Sequence, residues 1–264
     1  MGVISVMSKK SIGIAAAALC LTALATTASA EGSSVVQAPV GVISTPANSL
    51  SFPGMFGVPS AVAPKGGTGF VGATYVNPRG GVSGSGGDGS VSAGYTIGNP
   101  VDSVSVTFGL SVTGTDPFGD AGSLSVSASR LVHAGGTSAT FVGGSASNLA
   151  NWGAGSDDPE YSVYVSHLAG IRTGGVEVPL QFVFGYGTNN TRKSSGDLDD
   201  GAFAGVGVGL AKNLSASISF TSTQVNAGVT ATIPNTTMSA TLGVLDVSDN
   251  NDRQQVSLSV GFGF

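Results

Sequence analysis

The chain has 264 residues, of which 42 are glycine, 41 % are hydrophobic and only 9 % are charged. A soluble domain carries roughly 25 % charged residues, so this composition leaves too little charge to keep a whole protein surface in water. Its apolar content also excludes a disordered chain. The net charge of −5 comes with no cluster of Lys and Arg, which excludes nucleic acid as a partner, because phosphate binding needs such clusters.

Residues 1–30 read as a secretory leader. Lys9 and Lys10 precede an apolar run from Ile12 to Ala25, and small residues come next at Ala28-Ser29-Ala30. Cleavage is expected after Ala30, with Ala28 and Ala30 as the small-residue determinants. The apolar run is shorter than the roughly 20 residues that a membrane-spanning helix needs, and no later stretch qualifies. Cys20, the only cysteine, lies inside this leader behind Leu19, where a lipid-attachment signal would want a small residue. The mature chain is thus expected to carry no thiol, and 8 basic against 15 acidic residues leave it a net charge of about −7.

Residues 31–68 differ in character from the long carboxy-terminal stretch. Pro39, Pro46, Pro53, Pro59 and Pro64 interrupt the segment, and its bulky apolar residues, Leu50, Phe52, Met55 and Phe56, show no sustained alternation. An ordinary central strand is ruled out, since proline cannot donate to a ladder. Two readings remain open: a linker, or a plug for an enclosed interior.

From Gly69 to Phe264 the sequence alternates with period two, the pattern of strands with one apolar and one polar face. The plainest stretch sets Val104, Val106, Phe108, Leu110 and Val112 between Ser103, Ser105, Thr107, Gly109 and Ser111. Twelve such segments are predicted at 69–77, 89–97, 102–113, 122–132, 137–147, 161–169, 176–187, 201–211, 213–223, 227–233, 236–247 and 253–264. Short turns at Gly98-Asn99-Pro100, His133 to Gly136, Ala211-Lys212-Asn213 and Pro234-Asn235 alternate mostly with longer polar loops at 77–88, 114–121, 148–160, 188–200 and 248–252. Those loops hold most of the acid, including Asp116, Asp120, Asp157, Asp158, Glu160, Asp197, Asp199, Asp200, Asp249 and Asp252.

The chain ends on Val256-Ser257-Leu258-Ser259-Val260-Gly261-Phe262-Gly263-Phe264. Alternation that runs up to a terminal aromatic residue resembles the last strand of Gram-negative outer-membrane β-barrel proteins, porins among them. With the leader and the alternation, the resemblance covers the chain from about residue 69 onward. It implies an all-β fold, a closed antiparallel transmembrane β-barrel of about 12 strands spanning 69–264, located in the bacterial outer membrane with lipid around it. It further implies recognition by the barrel-assembly machinery through Val256, Leu258, Val260, Phe262 and Phe264. On that topology both barrel termini face the periplasm and the long loops face outward.

The polar face would line the lumen, and it is mainly Ser, Thr and Gly, with Gly205, Gly207 and Gly209 in one strand and Thr237, Ser239, Thr241 and Gly243 in another. Groups this small cannot fill a twelve-stranded interior, so water, a ligand or residues 31–68 must occupy the rest. The larger residues predicted to point inward, Tyr164, Gln181, Phe203, Arg253 and Gln255, are the candidates for a constriction. Known twelve-stranded porins for acidic sugars carry an arginine ladder that is missing here, which counts against acidic oligosaccharides. Passive diffusion of small hydrophilic solutes is the first functional reading. A structural or adhesive surface barrel with a plugged lumen is the second, and a secreted soluble β-sandwich the third. The oligomeric state is not legible.

No catalytic, cofactor or metal site is expected. His133 and His167 are remote from each other in sequence, both placed near the periplasmic ends of their strands, and carboxylates could serve in their place. The Asp clusters at 157–160 and 197–200 match no calcium loop and read as a solvated face. Gly201 to Leu210 precedes no Lys-Ser or Lys-Thr, so it is not a phosphate loop.

Overall fold

The computed structural model describes residue 50 and residues 52–78, 87–115, 118–135, 137–153, 158–192, 197–249 and 254–264, together with two three-residue strands, β1 (Thr26–Ala28) and β2 (Ser34–Val36), that pair with each other. Ala28 falls on β1, and Ala30 lies outside the described residues.

Twelve strands close into one barrel: β3 (Gly69–Val76), β4 (Asp88–Gly98), β5 (Ser105–Thr115), β6 (Phe118–Ala134), β7 (Ser138–Trp152), β8 (Glu160–Thr173), β9 (Val176–Arg192), β10 (Leu198–Ala211), β11 (Leu214–Thr221), β12 (Gln224–Thr232), β13 (Met238–Leu245) and β14 (Gln255–Gly263). Each strand pairs antiparallel with its sequence neighbour, and β14 pairs with β3 to close the ring. The seam is completed beyond the strands, where Gly69 N donates to Phe264 O at 2.8 Å and Phe264 N to Gly69 O at 2.9 Å. Closure leaves no unpaired edge, the condition for a sheet to sit in hydrocarbon. The twelve predicted segments all become strands of the ring. A stacked sandwich, the third sequence reading, is overturned by this closure.

Alternation along each strand sorts side chains between two environments, because successive residues point to opposite faces. In β14, Ser257 is 0 % exposed and its neighbour Leu258 49 % exposed. In β8 and β9, Val163 and Phe184 stand 67 % and 66 % exposed on the outside. Inside, hydroxyls on adjacent strands bond each other: Thr74 Oγ1 to Ser259 Oγ at 2.8 Å, Thr96 Oγ1 to Thr107 Oγ1 at 2.9 Å, and Thr230 Oγ1 to Thr241 Oγ1 at 2.9 Å. The wall is thus inverted relative to a soluble protein, with apolar groups out and hydroxyls in.

Strands β6 to β10 run longer than the sequence indicates, into 114–121, 148–160 and 188–200. Asp120, Glu160, Asp199 and Asp200 therefore belong to strands rather than loops. Their backbones still find partners, such as Asp199 opposite Thr191, although around Asp120, Asp199 and Asp200 the side chains no longer alternate. On the side away from the termini, β11 and β12 join through the short turn Ser222-Thr223, with Ser222 at φ 49°.

Candidate functional site: the lumen and its inner belt

Residues 52–64 lie inside the barrel. Met55, Phe56, Val58, Ala61 and Val62 are all buried, and the chain that carries them meets the strands in their order around the ring. Gly66 N donates to Gly98 O at 2.6 Å and Gly67 N to Thr96 O at 2.8 Å, both on β4. Ser105 Oγ of β5 donates to Pro64 O at 2.9 Å, and Ser129 Oγ of β6 donates to Ala61 O. Ala61 N donates to Ser166 Oγ of β8 at 2.8 Å, and Gln181 Nε2 of β9 donates to Ser60 Oγ at 2.5 Å. On β11, Phe56 N donates to Ser217 Oγ at 3.0 Å, and Ser219 Oγ donates to Phe56 O at 2.6 Å. A proline-rich segment cannot satisfy its own backbone in a ladder, so wall hydroxyls do it instead. The result is a belt laid along the inner wall.

Apolar contacts fix the belt to one side. Met55, Val58, Ala61 and Val62 pack in a single cluster with Phe141 of β7, Tyr164 and Leu168 of β8, Val183 of β9 and Phe203 of β10. The Tyr164 and Phe203 rings lie 6.2 Å apart at 53°, a tilted geometry favoured by their quadrupoles. At β10, β12 and β13 the wall is thinned to make room. A Cβ added to Gly243 would sit 2.2 Å from the Phe56 ring, one on Gly228 2.8 Å from Phe56 Cβ, and one on Gly205 2.7 Å from Met55 Sδ. At Gly57, φ is +83° and Asn226 stands 2.6 Å from where a Cβ would be, so that position requires glycine twice over.

The five constriction candidates divide. Tyr164 and Phe203 are buried in the apolar cluster, and Gln181 is bonded to the belt through Ser60. Gln255 lies apart from these, with Nε2 donating to Asn77 O at 2.9 Å where β14 begins. Arg253 lies outside the described residues. The sequence reading did not find Phe141, Leu168 and Val183 as inward groups; their signal was a bulky apolar residue on the hydroxyl face of a strand. Gln181 Oε1 has no hydrogen-bond partner, nor have the buried hydroxyls of Ser90, Ser92 and Ser111 on β4 and β5 and of Ser257 on β14. Ser92 faces Ser111 directly in register. Buried hydroxyls without partners are places for water or for hydroxyl-bearing guests.

His133 lies one residue from the end of β6, where the sequence reading put it, but His167 does not. His133 pairs in register with Thr140, and Thr140 with His167, so the two rings flank one residue on neighbouring strands. Thr140 Oγ1 and His167 Nδ1 are 2.9 Å apart. His167 is six residues from the end of β8, well within the strand. Among the described residues no three His, Cys, Asp or Glu side chains gather where a metal could be held.

Of the outward aromatics, Phe182 and Tyr186 fall inside β9 rather than at its ends.

No protein-family model and no curated protein matches the sequence. Among solved structures, the barrel is similar to a KdgM porin in complex with disordered oligogalacturonate, at 9 % identity and a TM-score of 0.49 over 75 % of this chain and 99 % of that one. It is also similar to the outer membrane protein Omp33 of Acinetobacter baumannii, at 10 % identity and 0.48 over 75 % and 98 %. A third is the COG4313 outer membrane channel from Pseudomonas putida F1, at 9 % and 0.47 over 83 % and 99 %. Likenesses this distant say nothing of what this barrel does.

Proposed function

We propose that the chain is an outer-membrane barrel that lets small, uncharged hydrophilic solutes diffuse through a lumen narrowed by residues 52–64. The observation that carries this reading is the inverted wall. An exterior of exposed Val, Leu, Ile and Phe suits hydrocarbon, and an interior of Ser and Thr suits water. The buried hydroxyls of Ser90, Ser92, Ser111 and Ser257, which lack partners, lie on β4, β5 and β14, strands that contribute nothing to the apolar cluster, and they are the groups a solute would exchange hydrogen bonds with. Hydroxyls of this kind exchange hydrogen bonds with water and sugars at little cost and hold no fixed charge, so size sets passage more than charge does. Tyr164, Gln181 and Phe203 narrow the lumen by seating the belt.

A second reading is favoured by the belt itself, which is held on five strands by hydrogen bonds. If the lumen stays shut in use, the barrel is a structural or adhesive surface element. Conductance in a planar bilayer separates the two, with residues 31–264 compared with a chain lacking 31–68. A small conductance that grows on deletion supports the channel. Silence from both chains, once folding is verified by heat-dependent gel mobility, refutes it.

A further inference from the structure

The outer wall over β6 to β9 has a groove of about 560 Å³. Its floor is small: Ala128 on β6 faces Gly144 on β7, and the next row sets Val126 against Ala146. Tyr161 and Val163 of β8 and Tyr186 of β9 wall the far side. All these positions lie on the lipid-facing side, since Ser129 and Ser162, their neighbours in sequence, are buried in the lumen. An extended hydrocarbon chain fits such a trough better than it fits the surrounding bulky wall.

Directly below, toward the barrel end that carries the termini, stands Arg130. It is exposed on the same outer face, opposite Val142, whose next neighbour is Val165. It lies four residues inside the end of β6, deeper within its strand than any other charged residue of the described barrel. Its side chain makes no ion pair or hydrogen bond among the described residues. An unpaired cation on a lipid-facing wall is unfavourable, and such residues persist where something anionic meets them. One row nearer the end, a bulge between Leu131 and His133 turns His133 toward Thr140, beside His167. Arg130 and the two imidazoles thus form a donor cluster at the mouth of an apolar trough.

We infer that this face binds one anionic diacyl phospholipid of the periplasmic leaflet. Its phosphate is held by Arg130 and the neighbouring imidazoles, and one acyl chain lies along Ala128, Gly144 and Ala146. The polarity is right: a lipid of that leaflet places its head toward the terminal end and its chains toward the bilayer centre, where the groove is. A long Arg side chain can reach from the wall to the headgroup level. The inference rests on the membrane location proposed above.

The test is native mass spectrometry of the folded barrel released from detergent with phosphatidylglycerol, with phosphatidylcholine of the same chains, or with water-soluble glycerol phosphate. One phosphatidylglycerol should be retained about tenfold better than phosphatidylcholine, whose choline cation offsets the phosphate charge that Arg130 meets and is repelled by the guanidinium. Arg130→Gln should abolish the preference, and Ala146→Phe, which fills the trough, should weaken both lipids. Equal retention of the two lipids, an unchanged preference in Arg130→Gln, or displacement by glycerol phosphate would overturn the site. Insertion into phosphatidylcholine vesicles is scored separately by gel mobility. Failure there sinks the membrane reading, while insertion without lipid preference sinks only this site.

Discussion

Replacing Phe56 by Ala should release the belt from the wall. Phe56 is 1 % exposed, and the groups beneath its ring are Gly228 and Gly243, which have no side chains to collapse into the space left behind. Truncating a buried Phe costs about 3–5 kcal/mol, and the upper end applies where the site cannot relax. At about 1.4 kcal/mol per factor of ten, the ratio of seated to released belt should fall by at least two and up to about three and a half orders of magnitude. The assay is alkylation of a single cysteine introduced by Val58→Cys, with Cys20 replaced by Ser. Val58 is 2 % exposed when seated, so labelling reports release. The barrel's own folding, read by gel mobility, should be unchanged, because its strands pair without the belt. Labelling that is already fast with Phe56 intact, or that does not accelerate with Phe56→Ala, would refute the reasoning.

Gly243→Leu should act on the same contact from the other side, since its Cβ meets the Phe56 ring at 2.2 Å. It should speed labelling by itself, and it should add little to Phe56→Ala, because the ring it displaces is already gone. Phe184→Arg should lower stability by about 2–4 kcal/mol in vesicles if that side chain faces the bilayer; an unaltered urea midpoint there would argue for a water-facing wall. Removing Phe264 takes away both hydrogen bonds to Gly69 and the stack on Phe262, whose ring is 6.1 Å away at 26°. Insertion into vesicles, tracked by gel mobility over time, should slow. A rate equal to that of the intact chain would show that the seam closes without its last residue.

The ring was legible because each strand separates two solvents. Val256, Leu258 and Val260 against Ser257 and Ser259 can be read from the letters alone, and twelve such stretches imply their own pairing when each comes directly after the last. The ends of β6 to β10 were harder, because residues such as Asp120, Asn190 and Asp199 carry polar groups on strands that continue past the alternating stretches. Periodicity lapses there while the backbone ladder continues. The slip at Leu131 and His133 is invisible for a related reason: a bulge changes which face a residue meets without changing its identity.

The inner belt was only half legible. Phe52, Met55 and Phe56 stood out as apolar residues with no strand to belong to, but their partners are scattered from Phe141 to Gly243 and share no spacing. What marks them is complementarity of size: Gly205, Gly207, Gly228 and Gly243 lie where Met55, Pro53 and Phe56 press on the wall. Such matching between distant parts of a chain has no period to detect.

The belt's last buried residues are joined to the first barrel strand by only a handful of positions, Pro64 to Thr68, and that strand is itself half of the closing seam. A leash so short keeps a released segment at an effective concentration of millimolar or more against its own seat. Departure is therefore brief and return fast, and a stray peptide in the surroundings would compete poorly for the same wall. The covering is also inherited with the cylinder rather than recruited to it: the strand that seals the circle carries the filling in with it.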